Sequence, residues 1–502
     1  MKTKVQILVI GSGFGGAIAA QRLTEGGCQV MLLERGPWRD TLPNRSVGMT
    51  DLAPLPQGIQ AFTHGLRSVR SRLFRRQVLV NRKGFVEICH GKGVNVICSS
   101  NVGGGSHIYA AMLARPASST YWDGHHPQVS QAGMERYYGE IIQQLGARAA
   151  TEADDVPNRI SLTDHGGKLS TAGLASPMLG ILLPERPGEP VSVVNTHGVE
   201  RQECDYRNNS VLGSPSGAKT TLDFSVLWPA IQRGLQVHDL CEATVIRRAP
   251  DRAGYEVEVL DHRTKRTHRV QAAQVVLAAG CVNTVRLLLE SRDMHNGLLG
   301  MPKLGWKFGT NGGYFAFWKE NADRDLSRGL PLCGPFRSAG SPSQSVQMLR
   351  AAIQGLERIP LPARLRHWLR RNSFLVGLGK DNNAGVVQLI RGRLNIHYEK
   401  KLSPVYQEID HEVEQIQLST GTRVFAPGAP ITVQPLGGAC LGATINDGVI
   451  DGNGEVFDNP GLFIADAAAL PVSPGRPPSL TIAAWAAHVS DRLLAAIDAN
   501  SH

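Results

Sequence analysis

Residues 5 to 36, VQILVIGSGFGGAIAAQRLTEGGCQVMLLERG, constrain this chain more than any other stretch. An apolar strand over Val5 to Ile10 runs into Gly11-Ser-Gly13-Phe14-Gly15-Gly16. A small-residue helix follows, then a second strand that ends at Glu34. Each part suits a bound dinucleotide. Gly11 permits the tight turn, Gly13 lets backbone N–H groups approach a pyrophosphate, and Gly16 lets the helix pack close to the sheet. The helix N-terminus offers the phosphates unpaired N–H groups and the positive end of its dipole. Glu34, with Arg35 beside it, stands where an acid can accept both hydroxyls of an adenosine ribose. A carboxylate there disfavours a 2′-phosphate, which points to FAD or NAD rather than NADP.

The chain has 502 residues, enough for two domains with cores of their own. With 42% hydrophobic and 19% charged residues, the composition is that of a globular protein. No apolar run is long enough to read as a transmembrane helix, and the apolar start reads as the first strand of the fold rather than a leader. A cytoplasmic location is therefore expected. The eight cysteines show no CxxC spacing and are expected as free thiols. No HExxH pattern or GxSxG elbow supports a metallohydrolase or serine hydrolase, and no metal site is expected. His125-His126 beside Pro127 read as surface residues.

The net charge of +10 is concentrated locally. Residues 66 to 83, LRSVRSRLFRRQVLVNRK, hold seven basic residues and no acid. Residues 356 to 371, LERIPLPARLRHWLRR, set several Arg against the single acid Glu357. Both segments interleave Arg with large apolar residues. One reading is amphipathic surface whose Arg stems cover apolar area. The other is a basic, greasy rim that meets a membrane face, an acidic partner or an amphiphilic substrate. Nucleic acid is not expected, since no recognised reading module accompanies the charge.

Three further stretches carry information. Asn101-Val-Gly103-Gly104-Gly105-Ser106-His107-Ile-Tyr109 leaves backbone bare, as needed against a flat ring or phosphate. In residues 270 to 290 an apolar strand meets Ala279-Gly280, and Asn283-Thr284 are expected to cap the helix that follows. In residues 461 to 494 a strand ends at Asp466-Ala467 and a helix is expected near Pro478-Ser479. Free N–H groups of Ser479 and Leu480 could there stabilise negative charge on a reduced flavin.

Together with GSPSGAKTTL at 213 to 222, GWKFGTNGG at 305 to 313 and QPLGGACLG at 434 to 442, these stretches occur in the order seen in the glucose–methanol–choline (GMC) oxidoreductases. The chain resembles that family over nearly its whole length, and within it the bacterial cholesterol-oxidase-like branch. The resemblance implies an α/β fold in which a Rossmann-like FAD-binding domain (1–150, 201–314, 426–502) is interleaved with a sheet-and-helix substrate domain (151–200, 315–425). It implies FAD as cofactor. It places Gly11, Gly13, Phe14, Gly15, Gly16, Glu34 and Arg35 on the ADP half, and Gly103, Gly104, Gly105, Ser106 and His107 along the flavin. It also places Val245 against the adenine and Asp466 at the ribityl chain, Ser479 and Leu480 at the flavin, and adds Ala279, Gly280, Ala467 and Pro478 to the cofactor-binding residues.

The same resemblance exposes departures at the catalytic positions. Where the family carries His before PLGG, this chain has Gln434, and a primary amide cannot act as a general base near neutrality. Where the family carries Asn in its closing segment, this chain has Pro477, which supplies no donor. Tyr109 replaces an Asn of the glycine loop. His107 stands where some relatives bond the flavin covalently, and His107 and Tyr109 are the candidate replacements for the missing base. Leu369, Arg370 or Arg371 falls near a family carboxylate. An Arg facing the cavity would admit an anionic, carboxylate-bearing substrate. The expected function is an FAD-dependent oxidoreductase acting on a lipophilic alcohol or an adjacent C–H group. The alternatives are a flavoenzyme with altered chemistry (desaturase, isomerase or cyclase, or light-driven decarboxylase) and a flavin-bearing subunit without turnover of its own.

Overall fold

The computed structural model describes residues 4–71, 77–161, 163–185, 189–249, 254–339 and 346–499. Its first layer is a seven-stranded sheet grown from the opening motif. Strand β1 (Lys4–Ile10) pairs in parallel with β2 (Val30–Leu33) on one side and with Arg266–Leu277 on the other. All four residues of β2 are buried, the pattern of a strand covered on both faces. Helix α1 (Phe14–Glu25) makes the crossover between β1 and β2. Gln236–His238 extends the sheet beyond β2.

The twelve-residue strand Arg266–Leu277 changes partner along its length. Its first half forms an antiparallel hairpin with Tyr255–Asp261, which pairs onward with Cys241–Arg248. Its last residues pair in parallel with Leu462–Ile464, so Asp466 emerges beside Gly280. This is the Rossmann-like layer expected from the sequence.

The closing helix Ser479–Ala499 is long and apolar enough to cross a membrane by composition, yet 61% of that apolar window is buried in the protein. It packs against α1 and the helix Gln131–Gln144. The Trp485 indole stacks on Trp122 at 5.5 Å and donates to the Ile464 carbonyl at 2.9 Å.

A four-stranded antiparallel sheet orders Val346–Ala351, Ser373–Gly379, Tyr314–Lys319 and Arg423–Phe425. Its alternation decides which face does what. Gly377 lies against Ile409 of the helix Pro404–Thr420, whose buried Val405, Ile409, Val413 and Ile416 recur at helical spacing. Phe374, Val376 and Leu378 point the other way, into a cavity. Residues 151–200 serve both parts. Leu169–Ser170 pairs with Arg337–Ser338, whereas Met178–Leu179 pairs with Met112–Leu113. A third sheet, of five strands, runs Ile431–Thr432, Asn95–Ser99, Val86–His90, Leu66–Ser71 and Val78–Leu79. It delivers Ser99 to the glycine loop and Gln434 to the cavity wall.

Candidate active site

A cavity of about 700 Å³ lies between the three sheets. One end is walled by Gly11 to Gly15, Glu34, Gly104, Gly105, Ala279, Gly280, Asp466 and Ala467. The other end is walled by the second sheet and by Gln434, Pro477, Pro478 and Ser479.

At the first end the glycines have two distinct causes. Gly11 has φ +101°, and a Cβ there would lie 2.2 Å from the Ala278 carbonyl oxygen. A Cβ on Gly16 would lie 1.8 Å from the Gly11 oxygen, which is the close helix–strand packing expected of it. Protein packing demands both. Gly13 and Gly105 differ. The nearest atom to a Cβ on Gly13 is 3.8 Å away, and nothing lies within 4 Å of one on Gly105. Their bareness fits a flat, close-lying ligand along the groove, so the residues present suit a dinucleotide.

Glu34 is held rigidly. Its Oε2 accepts from the Ser12 N–H at 3.1 Å and the Ser12 hydroxyl at 2.7 Å, and its Oε1 accepts from the Gly36 N–H at 2.8 Å. Burial pushes its pKa up, and these donors oppose the rise. Ser12 Oγ also accepts from the Gly103 N–H at 3.1 Å, tying the two glycine loops together. Asp466 Oδ2 accepts from the Gly280 N–H at 2.8 Å and the Thr284 hydroxyl at 2.6 Å. Its Oδ1 accepts from the Ala468 N–H at 2.8 Å. Burial pushes this carboxyl up to about 6. The helix after Gly280 starts at Cys281 with Gly280 itself as N-cap, so Asn283 and Thr284 lie in the first turn rather than capping it. Thr284 Oγ1 nevertheless accepts from the Ala279 N–H at 3.1 Å.

Behind Arg35 lies a buried ionic cluster that the motifs did not announce. Arg35 and Arg70 meet Glu87 at 3.2 and 3.3 Å, while Arg67 and Arg286 meet Glu242 at 3.4 and 3.6 Å. Desolvation works against the Glu87 carboxylate, but the guanidinium neighbours prevail and hold it down at about 2. Arg67 is fully buried, so the first basic segment is not the uniformly exposed amphipathic surface expected of it; residues 72–76 lie outside the described residues. Glu87, Cys89 and Cys98 bring ligand-type atoms within 4.8 Å of one another, but Arg35 and Arg70 already occupy the carboxylate. Those guanidinium charges oppose a metal ion. All eight cysteines are free.

Several expected contacts face away from the cavity. Gly103, Ser106 and His107 lie beneath the loop, and of the five residues Gly103 to His107 only Gly104 and Gly105 reach the cavity wall. The Ser106 hydroxyl donates to the Gly103 carbonyl at 2.6 Å and accepts from the Leu222 N–H at 3.0 Å. The His107 ring is fully buried, with Nε2 2.8 Å from the Val102 carbonyl and 3.7 Å from Asp223. Burial lowers its pKa, so the imidazole is neutral and donates to Val102. A ring packed behind the loop is placed neither for a covalent flavin bond nor as a base in the cavity. Val245 also misses the wall, because the strand bulges between Ala243 and Val245 and presents Cys241, Glu242 and Ala243 instead. Gly16 and Leu480 are packing residues beside the wall, and Leu480 is fully buried.

At the second end Tyr109 contributes its ring, while its hydroxyl lies 2.6 Å from the Thr220 carbonyl and 3.2 Å from that of Gly180. The single phenolic proton is thus committed to backbone, and burial raises its pKa further. Below it the buried Lys219 ammonium donates to the carbonyls of His107, Ser210 and Tyr109 at 2.7, 2.8 and 3.1 Å. Burial lowers its pKa to about 7. Sequence reading missed Lys219, whose position in GAKTTL gives no hint that it pins the glycine loop. It also missed Asn311 of GTNGG, which bonds both Gln434 and the segment before Pro477.

The helix Ala363–Arg370 leaves Leu365 and Trp368 exposed, and none of its residues lines the cavity. Arg370 pairs with Glu357, and Arg371 donates to the carbonyls of Ala322 and Asn321. The expected Arg grip on an anionic substrate therefore has no counterpart in this segment; the arginines that line the cavity among the described residues, Arg35 and Arg286, belong to the ionic cluster. The rest of this end is apolar, built from Met112, Leu332, Ile353, Phe374, Val376 and Leu378 among others.

Comparison with known proteins agrees with this layout. Family models described as GMC oxidoreductase match residues 190–299 and 381–486. A cholesterol oxidase of Mycobacterium tuberculosis is 26% identical, covering 97% of this chain and 90% of that protein. A long-chain-alcohol oxidase of Arabidopsis thaliana is 22% identical, covering 98% of this chain and 67% of that protein. Among solved structures, a fungal aryl-alcohol oxidase aligns over 99% of this chain and all of its own, with TM-score 0.56 and 13% identity. A pyridoxine 4-oxidase aligns over 97% of this chain and 98% of its own, with TM-score 0.55 and 15% identity. The two family models, the near full-length relatives and the shared fold assign this chain to the GMC oxidoreductases, a family of oxidoreductase enzymes.

Proposed function

We propose that this oxidoreductase binds FAD along the glycine-bared end of the cavity and acts on a lipophilic substrate, an alcohol or an adjacent C–H group, at the apolar end. The observation that carries this is the continuity of the two ends. A groove lined by bare backbone and two anchored carboxylates opens directly into a chamber walled by the apolar face of the second sheet. FAD, when bound, would supply the acceptor for one hydride, that is, two electrons and a proton. The chain's own residues bind, orient and exclude water. Glu34 fits the ribose hydroxyls, Asp466 fits the polyol chain, and the first turn of the helix at Ser479 turns its N–H groups toward the ring end.

The cholesterol and long-chain-alcohol oxidases among the relatives point to the same substrate class. Proton removal is the departure. Tyr109 and His107 are both turned from the chamber, and Gln434 has no usable basicity, so a hydroxyl proton would leave through water.

The test is anaerobic mixing of the purified yellow protein with lipophilic alcohols of sterol and long-chain type, and with a sugar alcohol. Bleaching of the flavin by a lipophile and not by the sugar alcohol supports the reading. A protein that stays colourless after incubation with FAD, or bleaches only with the sugar alcohol, sinks it.

A further inference from the structure

Gln434 and Pro477 both line the chamber wall, and the direction of the Gln434 amide is fixed by a chain of bonds that ends in backbone. Asn311 is the link. Its Oδ1 accepts from the Gly475 N–H at 3.0 Å, and its Nδ2 donates to the Arg476 carbonyl at 2.8 Å. A backbone N–H can only donate and a backbone carbonyl can only accept, so the two ends of the Asn311 amide are assigned without ambiguity. The Ser473 hydroxyl, 2.7 Å from Asn311 Oδ1, agrees. Asn311 Nδ2 has a second proton, directed at Gln434 at 2.8 Å. The atom that meets it must be the Gln434 oxygen. The amide nitrogen of Gln434 is then left without a partner among the described residues, on a side chain that lines the chamber. Asn311 is fully buried and leaves the pair little freedom to invert.

Among the described residues the unpaired side-chain acceptor on the cavity wall is Gln354 Oε1, which makes no bond to Gln434, and the polar groups nearer to it are otherwise engaged. The Tyr109 hydroxyl is committed to Thr220, and the Thr432 hydroxyl donates to the Thr310 carbonyl at 3.0 Å while accepting from the Gln434 N–H at 3.0 Å. Tyr314, the other phenol on the wall, is pushed up to about 12 by burial and stays neutral.

We infer that Asn311 is a positioning residue that presents the Gln434 N–H₂ group to the chamber, and that the substrate atom received there is the carbonyl oxygen of a neutral lipophile. This deepens the proposed function and rests on its lipophilic chamber. A carbonyl oxygen only accepts, and the site offers it a donor. A hydroxyl in the same place could accept as well, but would have to find a home for its own proton, and burying an unpaired donor costs more than forming the bond gains. A carboxylate would bring a charge that no cation among the described residues of this wall neutralises.

The test uses the FAD-loaded protein and a matched pair, a saturated steroid ketone and its alcohol, followed by the flavin difference spectrum on rapid mixing before any bleaching. The ketone is expected to bind about tenfold tighter than the alcohol, the equivalent of one hydrogen bond. Gln434→Leu keeps the bulk and removes the donor, and should erase that preference with the flavin spectrum of the unliganded protein unchanged and only a modest fall in melting temperature, from the Asn311 N–H it leaves unpaired.

Asn311→Asp keeps the contacts to Ser473 and Gly475 but offers Gln434 an acceptor, which turns the amide over and presents its oxygen to the chamber. The preference should then invert toward the alcohol, an outcome that loss of structure alone would not give. If Asn311→Asp does not fold, Gln434→Leu decides the matter. Equal binding of ketone and alcohol by the parent protein, or a ketone preference that survives Gln434→Leu, overturns the inference and leaves the lipophilic chamber standing. Binding of neither ligand overturns both.

Discussion

Near Glu34 the cavity is made by backbone, and near Gln434 it is made by side chains that arrive from distant segments. At the first end the glycine turn after β1, the loop at Gly104 and the turn at Gly280 approach each other so closely that a Cβ on Gly104 would lie 2.4 Å from the Gly13 Cα. Its two carboxylates each accept from several donors. At the second end the sheets contribute mainly apolar side chains, and the Gln434 amide, held by Asn311, supplies directed polarity. A backbone-built site tolerates little change and recognises one rigid ligand. A side-chain-built chamber can change its occupant by a few substitutions. The motifs that carry the family resemblance include those of the groove, while Gln434 and Pro477, which the sequence reading set apart from the family pattern, line the chamber.

The sharpest way to break this contrast is to compare two glycines. Gly11→Ala forces a Cβ onto the Ala278 carbonyl at a positive φ, and should cost about 3 kcal/mol or more of apoprotein stability, from left-handed strain plus overpacking. Gly105→Ala meets no protein atom, and should leave apoprotein stability within about 0.5 kcal/mol. It should still weaken FAD binding about tenfold or more, because the methyl occupies the ligand's place. Thermal melts of the apoproteins and flavin fluorescence titrations read both effects. If Gly105→Ala binds FAD like the parent, the cofactor does not lie along this loop.

Asp466 gives the next effect. Its folded pKa of about 6 lies above the ordinary aspartate value of 3.8, so between those values the folded apoprotein holds more protons than the unfolded chain. Stability from this group is therefore fully present below about pH 4, falls as pH rises, and is flat above about pH 6. The slope is at most about 1.4 kcal/mol per pH unit. Asp466→Asn should remove that slope from the pH dependence of apoprotein unfolding. An unchanged profile would mean that the three hydrogen bonds outweigh burial.

What the sequence disclosed follows the same division. Gly11, Gly13, Gly16 and Glu34 could be assigned because β1, α1 and β2 are contiguous, and a turn's conformational demands are written in its own residues. Glycine count alone did not say which loop atoms face the groove. Gly103 and Ser106 turn inward together because Gly104–His107 is a 3₁₀ turn, in which residues three apart share a face, and His107 lies beside them. Val245 failed because a bulge is a tertiary adjustment with no mark in an alternating strand. The ionic cluster of Arg67, Arg70, Glu87 and Glu242 looked like a surface charge run, since local sequence carries no information on what packs over it. Gln434 and Pro477 were legible as departures from a pattern. Asn311, lying in GTNGG far from both in sequence, became visible only once the sheets brought the three segments together.

A smaller effect sharpens the groove. Glu34→Gln replaces one acceptor oxygen by an N–H₂ group, which must face either Gly36 or Ser12, both of which donate to Glu34. FAD affinity is expected to fall about tenfold to thirtyfold, the worth of one hydrogen bond to a charged group. Affinity for a ketone in the chamber, measured on protein saturated with FAD, should not move. A parallel loss at both ends would show that the two ends are coupled and that the division drawn between them is too clean.

The smallest effect discriminates most at the chamber. Tyr109→Phe keeps the ring on the wall and removes the hydroxyl that donates to Thr220. If the hydroxyl only ties the glycine loop to the backbone at residues 180 and 220, the variant loses about 1 kcal/mol of stability, the net worth of a buried hydrogen bond. Its turnover with a lipophilic substrate should stay within about threefold of the parent, with the same pH dependence. If Tyr109 moved a proton, stability would hardly change while turnover fell by about a hundredfold or more, the usual contribution of a general acid or base. The alkaline limb of the pH profile would then disappear with it. Melting temperature and pH–rate profile move in opposite combinations under the two roles, so a single variant decides whether Tyr109 carries a proton at this end or only ties the loop in place.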